Sequence, residues 1–228
     1  MSRLGLVSLV AAAALAGCGS TRSGGSASLW ITRDRGTRVV LVRSVPAGVT
    51  AMQALQRAAK VQTSYGGRFV QSIDGVRGSL SHRHDWFYFV NGYEADRGAG
   101  DYRLRPGDIE WWDYRDWTHA LHVPVVVGAF PEPFLHGYDG KRRKAALVFE
   151  SGSPVTLARR LGKLIHAAQV SRSQLAQANV LLLTAANVPF RASAKGAGQP
   201  VVFQLSVRDA RRLLKDERLA RFRYSGLP

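Results

Sequence analysis

The chain has one cysteine, Cys18, among its 228 residues. A lone thiol cannot close an intramolecular disulfide, so packing alone must hold the fold. It also leaves no Cys-x-x-Cys pair for redox or zinc chemistry. Gly-x-Ser-x-Gly, a Walker loop and His-Glu-x-x-His are absent as well. Their absence removes the commonest signatures of a serine hydrolase, a nucleotide phosphatase and a zinc peptidase. No apolar run approaches the ~20 residues that a permanent membrane-spanning helix needs. Acidic residues are scarce: 16, against 32 Lys and Arg, for a formal charge of +16.

What is present begins at the N-terminus. Arg3 gives a short positive start, residues 4–15 are apolar, and Leu15-Ala16-Gly17-Cys18 follows. This resembles a bacterial lipoprotein signal peptide, residues 1–17, with its lipobox. In lipoproteins of this type the cysteine is lipidated and starts the mature chain. The resemblance implies a lipid on Cys18 and a protein held at the extracytoplasmic face of the cell membrane. Residues 18–28 are rich in Gly, Ser and Thr, cannot bury anything, and read as a flexible tether.

The charge is uneven. Residues 19–128 hold 14 basic and 10 acidic side chains, residues 129–228 hold 17 and 6. For an exported chain, such a basic surface points away from nucleic acid. It points towards anionic lipid or wall polymer, at about 1 kcal/mol per basic residue near a membrane surface. A solvated basic surface that aids solubility fits equally well.

Two parts follow the tether. Residues 29–128 read as strand, helix, then hairpin strands. Val39-Val40-Leu41-Val42 reads as a buried strand, and Thr50-Ala51-Met52-Gln53 as a capping box. Strands are expected at 68–73, 85–90, 102–104, 109–114 and 123–127, with Asn91-Gly92 as a two-residue hairpin turn. The order predicts an α+β fold with a β-grasp-like sheet. Phe130-Pro131-Glu132-Pro133-Phe134 is read as an extended boundary. Residues 129–228 form a small, basic α/β unit of unknown role, with Ser153-Pro154 opening its first helix and Ser206 capping its last.

Candidate chemistry is sparse. His82-Arg83-His84 supplies two imidazoles, too few for a metal site. Asp113, Asp116, His119 and His122 would align only on a helical turn, and they lack a nucleophile or a further fixed ligand. We therefore expect neither an enzyme nor a metal site, and no covalently bound cofactor. Aromatics carry more information: four of five tryptophans lie between Trp86 and Trp117. Trp86 and Tyr88 share one strand face, and Trp112 and Tyr114 share another. If that side of the sheet is open, these four rings form a stacking surface for a flat ligand. If residues 129–228 cover it, they are core.

Three blocks in order carry a resemblance. They are Gly67-Arg68-Phe69-Val70-Gln71-Ser72-Ile73-Asp74-Gly75, Trp86-Phe87-Tyr88-Phe89-Val90-Asn91-Gly92, and Gly98-Ala99-Gly100-Asp101-Tyr102 running on through Pro106-Gly107-Asp108 to Glu110-Trp111. Together, over about residues 37–114, they resemble the transcobalamin C-terminal domain. This small β-rich part of transcobalamin and intrinsic factor also occurs alone in bacterial lipoproteins of a family of unknown function. In the animal proteins it closes over cobalamin held on a helical barrel, and nothing in this chain matches that barrel. The resemblance implies a lipid-anchored binding protein for a corrinoid such as cobalamin, or another flat cofactor. Its partner would be a transporter or a separate helical-barrel protein. The alternative is an envelope interaction module that binds a partner protein or an anionic polymer or lipid.

Overall fold

The computed structural model describes residues 24–228, so the signal peptide, Cys18 and residues 18–23 of the tether lie outside it. The first strand, β1 (Ser26–Arg33), starts within the expected tether and ends it before Ser26. Its small polar start hides it in the sequence, yet Leu29 and Ile31 are fully buried. Strand β2 (Arg38–Pro46) pairs antiparallel with β1. Helix α1 (Ala51–Ala58) follows, opened by the expected capping box. Thr50 Oγ1 accepts from the Gln53 amide at 3.1 Å, and Gln53 Oε1 accepts from the Thr50 amide at 3.0 Å.

Strands β3 (Val61–Ser64), β4 (Phe69–Ile73) and β5 (Val76–Arg77) make a small three-stranded sheet. Strands β6 (His84–Val90), β7 (Tyr93–Glu94) and β8 (Ile109–Asp116) return to the first sheet, whose order is β2-β1-β8-β6-β7. The first and last strands, β1 and β8, lie parallel at its centre, with antiparallel neighbours outside them. With α1 on one face, this is the β-grasp-like α+β arrangement that the sequence predicts. Asn91 (φ 51°) and Gly92 (φ 85°) form the expected turn between β6 and β7.

Register sorts the aromatics by face. Trp86 lies opposite Tyr114, and Tyr88 opposite Trp112, on the α1 side. Phe87, Phe89, Trp111 and Trp30 point to the other side. Both sides are covered. Trp86 and Trp112 join Met52, Leu55, Leu29 and Ile31 in the main core. Trp30, Phe89 and Trp111 pack with Val126, Phe222 and Tyr224, so the end of the chain folds back onto the first sheet.

Strands β9 (Ala145–Phe149), β10 (Asn179–Thr184), β11 (Arg191–Ala194) and β12 (Val201–Ser206) form a four-stranded sheet, with β10 parallel to β9 and β12. Helices α2 (Val155–Leu164) and α3 (Val207–Leu213) bury Leu161 and Leu213 against Leu181, Leu183, Phe203 and Leu205. This is the expected α/β unit. Ser206 caps α3, with Oγ accepting the Asp209 amide at 3.1 Å.

Four local expectations fail. Ser153 does not cap α2: Pro154 takes the N-cap position and Ser153 Oγ is buried without a partner. Residues 102–104 make a single bridge, Thr50 to Arg103, instead of a strand. Residues 123–127 make only the Tyr93–Val125 bridge before a 3₁₀ turn, Val127–Ala129. Residues 130–134 form turns rather than an extended link, and Phe130 and Phe134 are core residues. A fifth concerns β2. It is an edge strand, and Val39, Val40 and Val42 are 51%, 45% and 52% exposed. An apolar run looks the same to a reader of sequence whether one neighbour strand is present or two.

Candidate functional site

A groove of about 500 Å³ runs beside β6. Its wall includes Asp85, Trp86, Phe87 and Tyr88 in succession. Successive strand residues point to opposite faces, so a cavity touching all four meets the strand edge-on. Strand β7 reaches only Phe89 and Val90, so on the edge away from β8 the first half of β6 has no paired strand beyond the Ser79–His84 bridge among the described residues.

The backbone shows where that edge is bare. In an antiparallel strand, alternate residues turn their N–H and C=O to the same neighbour. The Arg83 carbonyl accepts from the Trp117 amide at 2.8 Å, and the Asn91 amide donates to the Ile109 carbonyl at 2.9 Å, so odd-numbered positions face β8. Even-numbered positions face outwards. His84 exchanges bonds with Ser79 at 2.8 and 3.1 Å, and the Tyr88 carbonyl accepts from the Ala95 amide at 3.1 Å. The Trp86 amide donates to its neighbour's carboxylate, Asp85 Oδ1, at 2.8 Å. Between these ties, alternation turns the Trp86 carbonyl and the Tyr88 N–H towards the groove, and among the described residues neither meets a partner strand.

The walls are apolar. Phe69, Leu80 and Leu121 line the groove and are 42%, 82% and 52% exposed, with Trp117 half-buried beside them. Arg115 sets the far wall. Its guanidinium, wholly buried, lies 3.7 Å over the Phe87 ring and donates to the carbonyls of Ala120 at 2.6 Å and Leu121 at 2.9 Å. A cation on a ring face thus fixes the loop that presents Trp117 and Leu121.

The sequence-named rings divide. Trp86, Tyr88 and Trp112 line the groove, whereas Tyr114 does not. Tyr114 instead packs 5.2 Å from Trp86 and donates to the Arg77 carbonyl. Tyr88 and Trp112 stack at 4.8 Å with 18° between their planes. The expected open surface of four rings is therefore corrected. Trp86 and Trp112 are 6% and 3% exposed and form the groove's inner side, because α1 covers the rest of that face. Arg115, Trp117, Leu80 and Leu121 escaped the sequence reading. Trp117 follows the strand, and only the fold brings its loop back beside β6.

Burial raises several acids: Asp85, Asp108, Glu110, Asp113 and Glu132. Glu110 is enclosed on the Trp112 side of the sheet, where desolvation pushes its carboxyl up to about 8. Its Oε1 accepts from Trp112 Nε1 at 2.6 Å, while Oε2 has no partner. Asp113, on the opposite face, is also raised by burial. The other candidates do not converge. Asp116 accepts from the Thr118 amide, His122 pairs with Glu94 at 2.9 Å, and His82 bonds Ser79. Among the described residues, no group of three or more His, Cys, Asp or Glu side chains is placed to hold a metal ion.

Residues 48–116, from the turn before α1 to the end of β8, match the family described as Domain of unknown function (DUF4430). No curated protein matches the chain. Among solved structures, haptocorrin in complex with Cbi is similar at 16% identity and a TM-score of 0.34 over 40% of this chain. That likeness spans only 24% of haptocorrin. A candidate metal binding protein from Ruminococcus gnavus ATCC 29149 is similar at 12% identity and a TM-score of 0.34, over 40% of this chain and 97% of that one.

Proposed function

We propose that the chain is a lipid-anchored, extracytoplasmic, non-enzymatic binding protein, and that its groove takes a flat, largely apolar ligand with a carboxamide on its rim. The bare stretch of β6 carries this reading. The Tyr88 N–H needs an acceptor and the Trp86 carbonyl needs a donor, and leaving either desolvated and unpaired is costly. A carboxamide supplies both, while Leu80, Trp117 and Leu121 cover the apolar part. Corrinoids are flat rings with carboxamide arms, which makes cobalamin or a related corrinoid the favoured ligand. At about 500 Å³ the groove takes the rim of such a ring. The rest would remain for a transporter or a helical-barrel partner to hold.

The test is calorimetric titration of the full chain with cobinamide and with cyanocobalamin, followed in parallel by tryptophan fluorescence. Saturable binding is expected, weakened at least tenfold by Leu80→Asp with an unchanged melting temperature. Absence of heat with both corrinoids removes them as ligands. Binding indifferent to Leu80→Asp moves the site away from the groove.

A second reading, an envelope interaction module, rests on β2. Among the described residues its outer edge is unpaired, three of its valines are exposed, and Arg38 and Arg43 flank them. Such an edge can accept a strand from a partner protein. Binding of that kind, steered by arginines, should weaken steeply with salt; corrinoid binding should not.

A further inference from the structure

A second cavity, of about 460 Å³, opens where the chain passes from the first part to the second. Asp96 and Arg97 come from the loop after β7, Tyr138, Asp139 and residues 141–143 from the crossing segment, and residues 197–199 from the turn before β12. The Tyr93 hydroxyl donates to the Gln199 carbonyl at 2.7 Å and ties this turn to the first sheet.

The lining is polar and its charges do not balance. Arg97 bridges Asp96 at 2.8 Å and Asp139 at 3.3 Å, and Arg105, from outside the cavity, bridges Asp139 at 3.1 Å. The two carboxylates are thereby matched by two guanidiniums. Lys141, Arg142 and Arg143 also line the space, and among the described residues none of them pairs with a carboxylate. Arg143 is half-buried and held in place: Nε donates to the Gly198 carbonyl at 2.9 Å and Nη1 to the Gln177 carbonyl at 3.3 Å. The lining therefore carries a surplus of positive charge, with Arg143 fixed in place, and an anion within it offsets that surplus. Guanidiniums, with their forked donors, suit a phosphate oxygen pair.

We propose that this cavity is a phosphate-binding site, independent of the groove beside β6, with Arg142, Arg143 and Lys141 as the anion's ligands. The same chemistry would recognise a free phosphate monoester or the phosphodiester of an anionic lipid headgroup. Calorimetric titrations of the full chain with inorganic phosphate, glycerol 3-phosphate and soluble dihexanoyl phosphatidylglycerol separate the two sources. Tighter binding of the first two assigns a free phosphate, and tighter binding of the third assigns the headgroup. Arg142 and Lys141 are exposed, so Arg142→Ala and Lys141→Ala should melt like the parent. Each should weaken binding about tenfold, the scale of one charge-assisted hydrogen bond. The double variant Arg159→Ala/Arg160→Ala, on α2 and away from the cavity, should bind as the parent does. Lack of saturable binding by all three probes overturns the site. So does an equal loss in the α2 variant, which would mean diffuse attraction to a basic surface.

Discussion

The hydroxyl of Tyr224 donates to Oδ2 of Asp113 at 2.9 Å, across 111 positions of sequence. Asp113 is fully buried, and its other oxygen accepts from Thr32 Oγ1 at 2.5 Å and the Gly36 amide at 3.1 Å. The Tyr224 ring also packs at 5.6 Å on both Phe89 and Trp111. The last residues of the chain thus complete the core and the hydrogen bonding of its first sheet.

Tyr224→Phe keeps the ring and removes the donor. One buried carboxylate oxygen loses its partner, at a cost of ~1–3 kcal/mol. The variant should melt several degrees lower by calorimetry. An unchanged melting temperature would mean that this bond contributes nothing to stability.

Glu110 should make stability depend on pH in the direction opposite to most acids. Burial raises its folded value from 4.5 to about 8. The folded chain keeps this proton at neutral pH, where the unfolded chain has released it. The contribution is complete below pH 4.5, declines as pH rises, and is lost above about 8. Glu110→Gln cannot ionise. Compared with the parent, its stability should improve steadily from pH 5 to pH 8 in denaturant titrations. A constant difference across that range would contradict a buried, protonated Glu110.

Gly92→Val should be severe. Gly92 has φ 85°, and a Cβ there would lie 3.0 Å from the Val126 carbonyl oxygen. A β-branched residue at positive φ is strained by ~1–3 kcal/mol before that contact is counted. Gly92→Asn tolerates the φ better and should recover part of the loss. Equal melting of both variants would show that the turn conformation is not limiting.

Cys18→Ser tests the anchor, which lies outside the described residues. The variant should accumulate unprocessed or appear in the soluble envelope fraction. Fractionation and intact mass would then show no lipid adduct. A variant that is processed and membrane-bound like the parent would remove the lipoprotein reading.

What the sequence by itself determined is local or periodic. Thr50 and Gln53 cap α1 because three-residue spacing lets each reach the other's amide. Asn91-Gly92 turns because these residues accept positive φ. Trp86 with Tyr88, and Trp112 with Tyr114, share faces because a strand alternates with a period of two. Tertiary structure alone decided what those faces meet. It placed α1 over Trp86 and Trp112 and laid Phe222 and Tyr224 over Trp111. It left β2 at an edge with its valines exposed, and it stopped β7 short of Trp86. Burial and edge position depend on which distant segments arrive. Contacts such as Tyr224 to Asp113 or Tyr93 to Gln199 follow from the packing of the whole chain, and no local pattern announces them.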